Sequence, residues 1–215
     1  MTSSDLGDLP AGPLGEWLDA MRAALSGERD ADVPCAGCTA CCRSAQFVHI
    51  APDETDTLAH VPRELLFPAP FRPRGHVVMG FDDRGHCPML VDDRCSIYEH
   101  RPRTCRTYDC RVFAATGVEV EAGKDALARR IARWRFDLAD AGDSLRADAL
   151  RAAAAFLDTH PELFPDGGPP GNPAQRAVLA VEVCELFLDF DAHGSPFVRE
   201  PSRDAVRAEL QRLLG

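Results

Sequence analysis

The sequence predicts a mainly α fold carrying a small, irregular α+β module rich in cysteine. Three observations lead there. Apolar residues recur at helical spacing on both sides of a central stretch, and that stretch breaks into short extended runs divided by Pro and Gly. Eight of the nine cysteines fall inside it, between Cys35 and Cys110.

Leu14, Trp17, Leu18, Met21 and Leu25 share one face at helical spacing, so residues 13–25 read as an amphipathic helix that stops at Gly27. The cysteine-rich segment begins after Pro34. Residues 47–50 read as a short strand, and 53–60 as a short helix whose first-turn acids suit the helix dipole. Residues 61–75, full of Pro and Arg, read as a surface loop. Residues 76–81 are a second strand, turning at Asp83-Arg84-Gly85.

Beyond the last clustered cysteine the pattern turns helical. Leu127, Ile131, Trp134 and Leu138 fall at i, i+4, i+7 and i+11, and Leu145, Ala149, Ala152 and Phe156 repeat that spacing. Gly142 separates the two helices, and Asp143 or Ser144 caps the second. A run of breakers over 166–173 precedes 174–190, apolar enough to be buried; strand is possible there, but its length favours a helix. Pro201 suits the first position of a last helix ending at Leu214. The division expected is an N-terminal helix over 1–33, a cysteine module over 34–113 and a helical region over 114–215 packing on it.

Composition narrows the function. The net charge of -10 argues against a nonspecific nucleic-acid partner, which needs clustered Lys and Arg. The polar, acidic opening has no basic start followed by an apolar run, and no stretch is long and apolar enough for a membrane. The expected location is therefore cytoplasmic. In a reducing compartment spaced thiols read as metal ligands in preference to disulfides.

The first cysteine group is Cys35, Cys38, Cys41 and Cys42, and the second is Cys87, Cys95, Cys105 and Cys110. Two-residue gaps let thiolates turn inward on one metal, and Gly37 tolerates the positive φ such a turn can require. The C-x2-C-x2-C opening, and Cys87 followed by Pro88, have counterparts in bacterial ferredoxins. Adjacent side chains diverge, so Cys41 and Cys42 do not both suit one tetrahedral ion, and which of them ligates stays open. Four plus four thiols allow two four-thiolate sites, or one site with spare thiols. Arg94, Arg101, Arg103, Arg106 and Arg111 crowd the second group, a charge that favours ionised sulfur. Cys184 lies on an apolar helical face with Ala177, Val181 and Leu188 and reads as packing. His86 and His100 neighbour the cysteines and could replace a thiolate, but with eight cysteines available they read as supporting or surface residues.

These runs, Cys35-x2-Cys38-x2-Cys41-Cys42, Gly85-His86-Cys87-Pro88 and Cys95-Ser96-Ile97-Tyr98-x2-Arg101-Pro102-x2-Cys105-Arg106-x-Tyr108-x-Cys110, resemble the CxxCxxCC family. It is also called the YkgJ-type cysteine-cluster family, a zinc- or iron-chelating domain. The resemblance covers about residues 34–113 and implies metal chelation by the eight clustered cysteines. A flagellin lysine methylase with this type of domain is associated with an iron–sulfur cluster, which favours iron here without carrying the methylase activity over.

No nucleotide-binding, nucleophile-elbow or zinc-deaminase pattern is present, so no residue is assigned a catalytic role. Three functions stand as expectations. The first is an iron–sulfur protein, 4Fe-4S by its ferredoxin-like opening, in redox or electron transfer. The second is a structural zinc module presenting a surface to a protein partner. The third is a cluster-dependent protein-modifying enzyme such as a lysine methylase.

Overall fold

In the computed structural model the fold is mixed α+β, with about 47% helix and 14% strand in small sheets. The structure describes residues 7–29, 33, 37–138, 140–165 and 168–214. The strands are β1 (Leu9–Pro13), β2 (Val48–Ile50), β3 (Leu66–Pro68), β4 (Val77–Met79), β5 (Leu90–Val91), β6 (Arg94–Cys95), β7 (Trp134–Asp137), β8 (Leu188–Phe190) and β9 (Pro196–Val198). The helices are α1 (Leu14–Leu25), α2 (Thr55–His60), α3 (Arg103–Thr107), α4 (Arg111–Thr116), α5 (Asp125–Ile131), α6 (Ala141–Thr159), α7 (Pro173–Val183) and α8 (Arg203–Leu214). They gather into two compact units, one of residues 1–30, 110–121 and 131–215, the other of 31–109 and 122–130.

The first unit is built on α6 and α7. Ala149, Ala153, Ala177 and Ala180 are fully buried, and their small side chains let the two helices approach closely. Leu150, Phe156, Val181 and Phe187 fill the remaining core. Helix α1 packs on α6 through a close approach at Gly15, whose N–H donates to the Asp143 carboxylate at 2.9 Å.

Several expectations for this region give way. The helical spacing through Trp134 ends at Ile131, because Trp134-Arg135-Phe136-Asp137 also alternates apolar and polar. As strand β7 it pairs in parallel with β1, which no helical pattern announced. Trp134 and Phe136 then share one face, and the Phe136 ring lies 5.0 Å from that of Trp17. Gly142 sits inside the first turn of α6, not between helices, and the cap is Asp140, whose carboxylate accepts from the Asp143 N–H at 2.7 Å. The buried helix expected over 174–190 stops at Val183 and passes through a 3-10 turn at Cys184–Phe187. It ends as β8, paired with β9 as a hairpin. Pro201 precedes α8 without entering it, and the Ser202 hydroxyl accepts from the Ala205 N–H.

The second unit holds a three-stranded antiparallel sheet in the order β2-β4-β3, with Val48 opposite Met79 and Leu66 also opposite Met79. Strand β3 and a 3-10 turn at Arg63–Leu65 occupy what the sequence reads as a loop. Pro68 ends β3 at the sheet edge, where its missing N–H costs no central ladder bond. Val48, Ile50, Val61, Met79, Met89 and Ile97 form the hydrophobic cluster, and Cys87, Cys95 and Cys105 pack against it. The hairpin β5–β6 closes at Asp92 and Asp93, with φ of 47° and 60°. Positive φ at both central residues is the signature of a type I′ turn, which Asp tolerates better than most residues. Among the described residues no helix is long and apolar enough to cross a membrane.

Candidate metal centre

Cys35 lies outside the described residues. After it, Gly37 adopts φ 80°, the positive value its lack of a Cβ allows. The chain then tightens into a 3-10 turn, Cys41–Arg43, tied down by the Ser44 hydroxyl donating to the Ala40 carbonyl at 2.7 Å. Cys41 and Cys42 are consecutive residues of that turn.

Backbone hydrogen bonds join this run to the second cysteine group. The Cys87 N–H donates to the Cys42 carbonyl at 2.7 Å, and the Ala45 N–H to the Gly85 carbonyl at 2.8 Å. A third bond, from the Val33 N–H to the Arg106 carbonyl at 2.7 Å, sets Val33 beside the residue after Cys105. The Asp82 carboxylate shapes the turn before Cys87 by accepting from the Arg84 and His86 N–H groups at 2.9 and 2.8 Å. Those donors hold the Asp82 carboxyl below the usual carboxylate range, the His86 N–H contributing most.

Cys95 stands opposite Leu90 in the β5–β6 hairpin, which the Ser96 N–H reinforces by donating to the Met89 carbonyl. Cys105 lies in α3, whose start is held by the buried Glu54. One carboxylate oxygen of Glu54 accepts from the Ala51 N–H at 2.9 Å, and the other from the Arg103 N–H. Cys110 belongs to the first unit, at the N-terminal end of α4. The Trp134 indole N–H donates to its sulfur at 3.3 Å. The sequence pattern set Trp134 on a helix and gave no sign of this contact.

All seven described cysteines of the two groups are partly exposed, and no disulfide joins any two of the described cysteines. Burial, reinforced by Cys95, raises the Cys87 thiol above its ordinary range. The chemistry of these side chains is that of metal ligands, since a cation compensates the charge of an ionised thiol. Cys184 differs: it is fully enclosed in the first unit, its thiol donates to the Val181 carbonyl at 3.3 Å, and burial raises its pKa too.

Three arginines of the second group have defined partners. Arg101 is buried, stacks 3.8 Å over the Tyr98 ring and reaches the Val33 carbonyl. Arg103 pairs with Asp53 at 2.7 Å, and Arg111 donates to the Ala11 carbonyl at 3.1 Å. These contacts fasten loops, a role that residue counting alone does not separate from a charge aimed at sulfur. His100 bonds to the Asp56 carboxylate and stacks on His60.

Residues 34–125 match the family model CxxCxxCC, described as "Putative zinc- or iron-chelating domain". The match reaches beyond α4 to the first residue of α5. No curated protein and no solved structure matches the chain.

Proposed function

We propose that the zinc- or iron-chelating stretch, residues 34–125, holds an iron–sulfur cluster through cysteines of both groups and serves redox or electron transfer. The observation that carries this reading is the backbone bond from Cys87 to Cys42, which makes one neighbourhood of two runs far apart in sequence. Cys41 and Cys42 sit side by side on one turn, and their diverging side chains suit two irons of a cluster better than one ion. Cys35, Cys38, Cys41, Cys42, Cys87, Cys95, Cys105 and Cys110 are the proposed ligand pool. When bound, a 4Fe-4S group would supply one-electron chemistry.

The test is metal and sulfide analysis of protein prepared without oxygen. Brown protein with iron and labile sulfide in proportion is expected; colourless protein lacking both rejects the cluster. Replacing Cys35, Cys38 or Cys105 by Ser is expected to lower metal content, and Cys184→Ser to leave it unchanged. Equal loss with Cys184→Ser would mean the ligand set is misassigned.

A second reading, a structural zinc module for protein contacts, is favoured by one feature. Phe47, Phe67 and Phe81 form an exposed ring cluster on the second unit, with Phe47 centred 6.4 Å from Phe67 and 5.0 Å from Phe81. Such a face suits an apolar protein partner. Stoichiometric zinc without iron, in the same anaerobic preparation, would establish this reading over the first.

A further inference from the structure

We propose that Asp56, His60 and His100 form a second, cysteine-free site in the same unit for a divalent transition ion, with Zn2+ as the fitting probe. Helix α2 sets Asp56 and His60 four residues apart, on one face. The 3-10 turn Tyr98–His100 delivers His100 from the other cysteine group, and the Thr57 hydroxyl, donating to the His100 carbonyl at 3.0 Å, ties the two pieces together.

The side chains converge. The His60 and His100 rings stack with centroids 3.4 Å apart and planes 4° from parallel. His100 Nδ1 lies 2.8 Å from Asp56 Oδ2, and His60 Nδ1 lies 2.8 Å from the Asp56 carbonyl oxygen and 3.7 Å from Asp56 Oδ1. One donor atom from each residue lies within 4.8 Å of the other two.

Donors bound tetrahedrally to zinc at about 2.0–2.1 Å stand roughly 3.3 Å from one another. Loading the site therefore frees His60 Nδ1 from the Asp56 carbonyl, tilts the two stacked rings so that both nitrogen lone pairs meet the ion, and brings the 2.8 and 3.7 Å separations to about that value. His60 and His100 keep 42% and 38% of their side-chain surface exposed, so that adjustment displaces no packed core and an ion has access. Two imidazoles and a carboxylate, with a position left to water, are the donor set of three-ligand zinc sites. Nitrogen and oxygen donors also set this site apart from the sulfur donors nearby, whichever metal those hold. Arg106 adds positive charge near Asp56, so the ion is expected to be held less tightly here than by thiolates.

The test uses the full chain, prepared without oxygen and with its cysteine-bound metal in place, titrated with zinc. Calorimetry counts the equivalents taken up, and histidine side-chain NMR reports where they bind. One equivalent beyond the resident metal is expected, shifting the His60 and His100 imidazole signals. His60→Gln, His100→Gln and Asp56→Asn should each abolish that equivalent and keep the resident metal. His193→Gln, at an exposed histidine of the other unit, should change neither. The proposal is overturned by absence of the extra equivalent in the parent, or by its survival in the three variants. Loss of resident metal in the same variants also overturns it, because the residues would then serve the cysteine site. The histidine spectra of the parent need no variant, so a substitution that fails to fold leaves the decision to them.

Discussion

Gly15 is defined by what surrounds it. A Cβ there would meet Asp143 Oδ1 at 2.5 Å and run into Arg146 Nη1. The arginine tip can move, but Asp143 is buried and holds the Gly15 N–H. Gly15→Ala is expected to destabilise the first unit by about 1–3 kcal/mol, read from denaturant midpoints. His49 is a second residue with a measurable consequence. Its pKa is held below the ordinary value of 6.5, first by burial and then by His76, whose Nδ1 lies 2.9 Å from His49 Nε2. As pH falls through 6.5 the unfolded chain takes up a proton that the native histidine resists, so stability falls toward acid. His49→Gln should lose less stability than the parent when the two are melted on either side of that pH; parallel losses would refute the assignment. Neither feature is legible in the sequence. Gly15 looks like any helical glycine, and His49, on β2, and His76, just before β4, are far apart until the chain folds.

At the scale of elements, Glu54 joins α2 to α3 by accepting two backbone N–H groups. Glu54→Ala strands the buried Ala51 N–H, at a cost of about 1–3 kcal/mol, and releases the part-buried Arg103 N–H. Melting should show that loss, and metal content should fall with it, because α3 carries Cys105. Full metal content in a destabilised variant would separate α3 from the metal site. Helices α1 and α6 were legible because long runs at 3.6 spacing admit few alternatives. Strands β7 and β8 were not. Trp134-Arg135-Phe136-Asp137 and Leu188-Asp189-Phe190 satisfy both periods over so few residues that the neighbouring strand decides between them.

At the scale of the molecule the two units differ in what holds them. The first buries whole helix faces, whereas the second has the cluster of Val48, Ile50, Val61, Met79, Met89 and Ile97 against which cysteines pack. Small cores of this kind lean on added cross-links, and a thiolate-bound metal provides one. Removing metal with a chelator should raise amide exchange in β2 and β4 while α6 and α7 keep their protection. Unchanged exchange in β2 and β4 would show that the second unit stands without metal. By itself the sequence determined the clustered thiols at defined gaps and the longer amphipathic helices. Those are properties of local composition and spacing, which hold before any distant contact forms. Tertiary structure alone decided that Cys42 meets Cys87, that β1 pairs with β7, and that His100 reaches Asp56 and His60. Each of these joins residues with no local pattern in common, and only burial and hydrogen bonding across the folded chain select the partner.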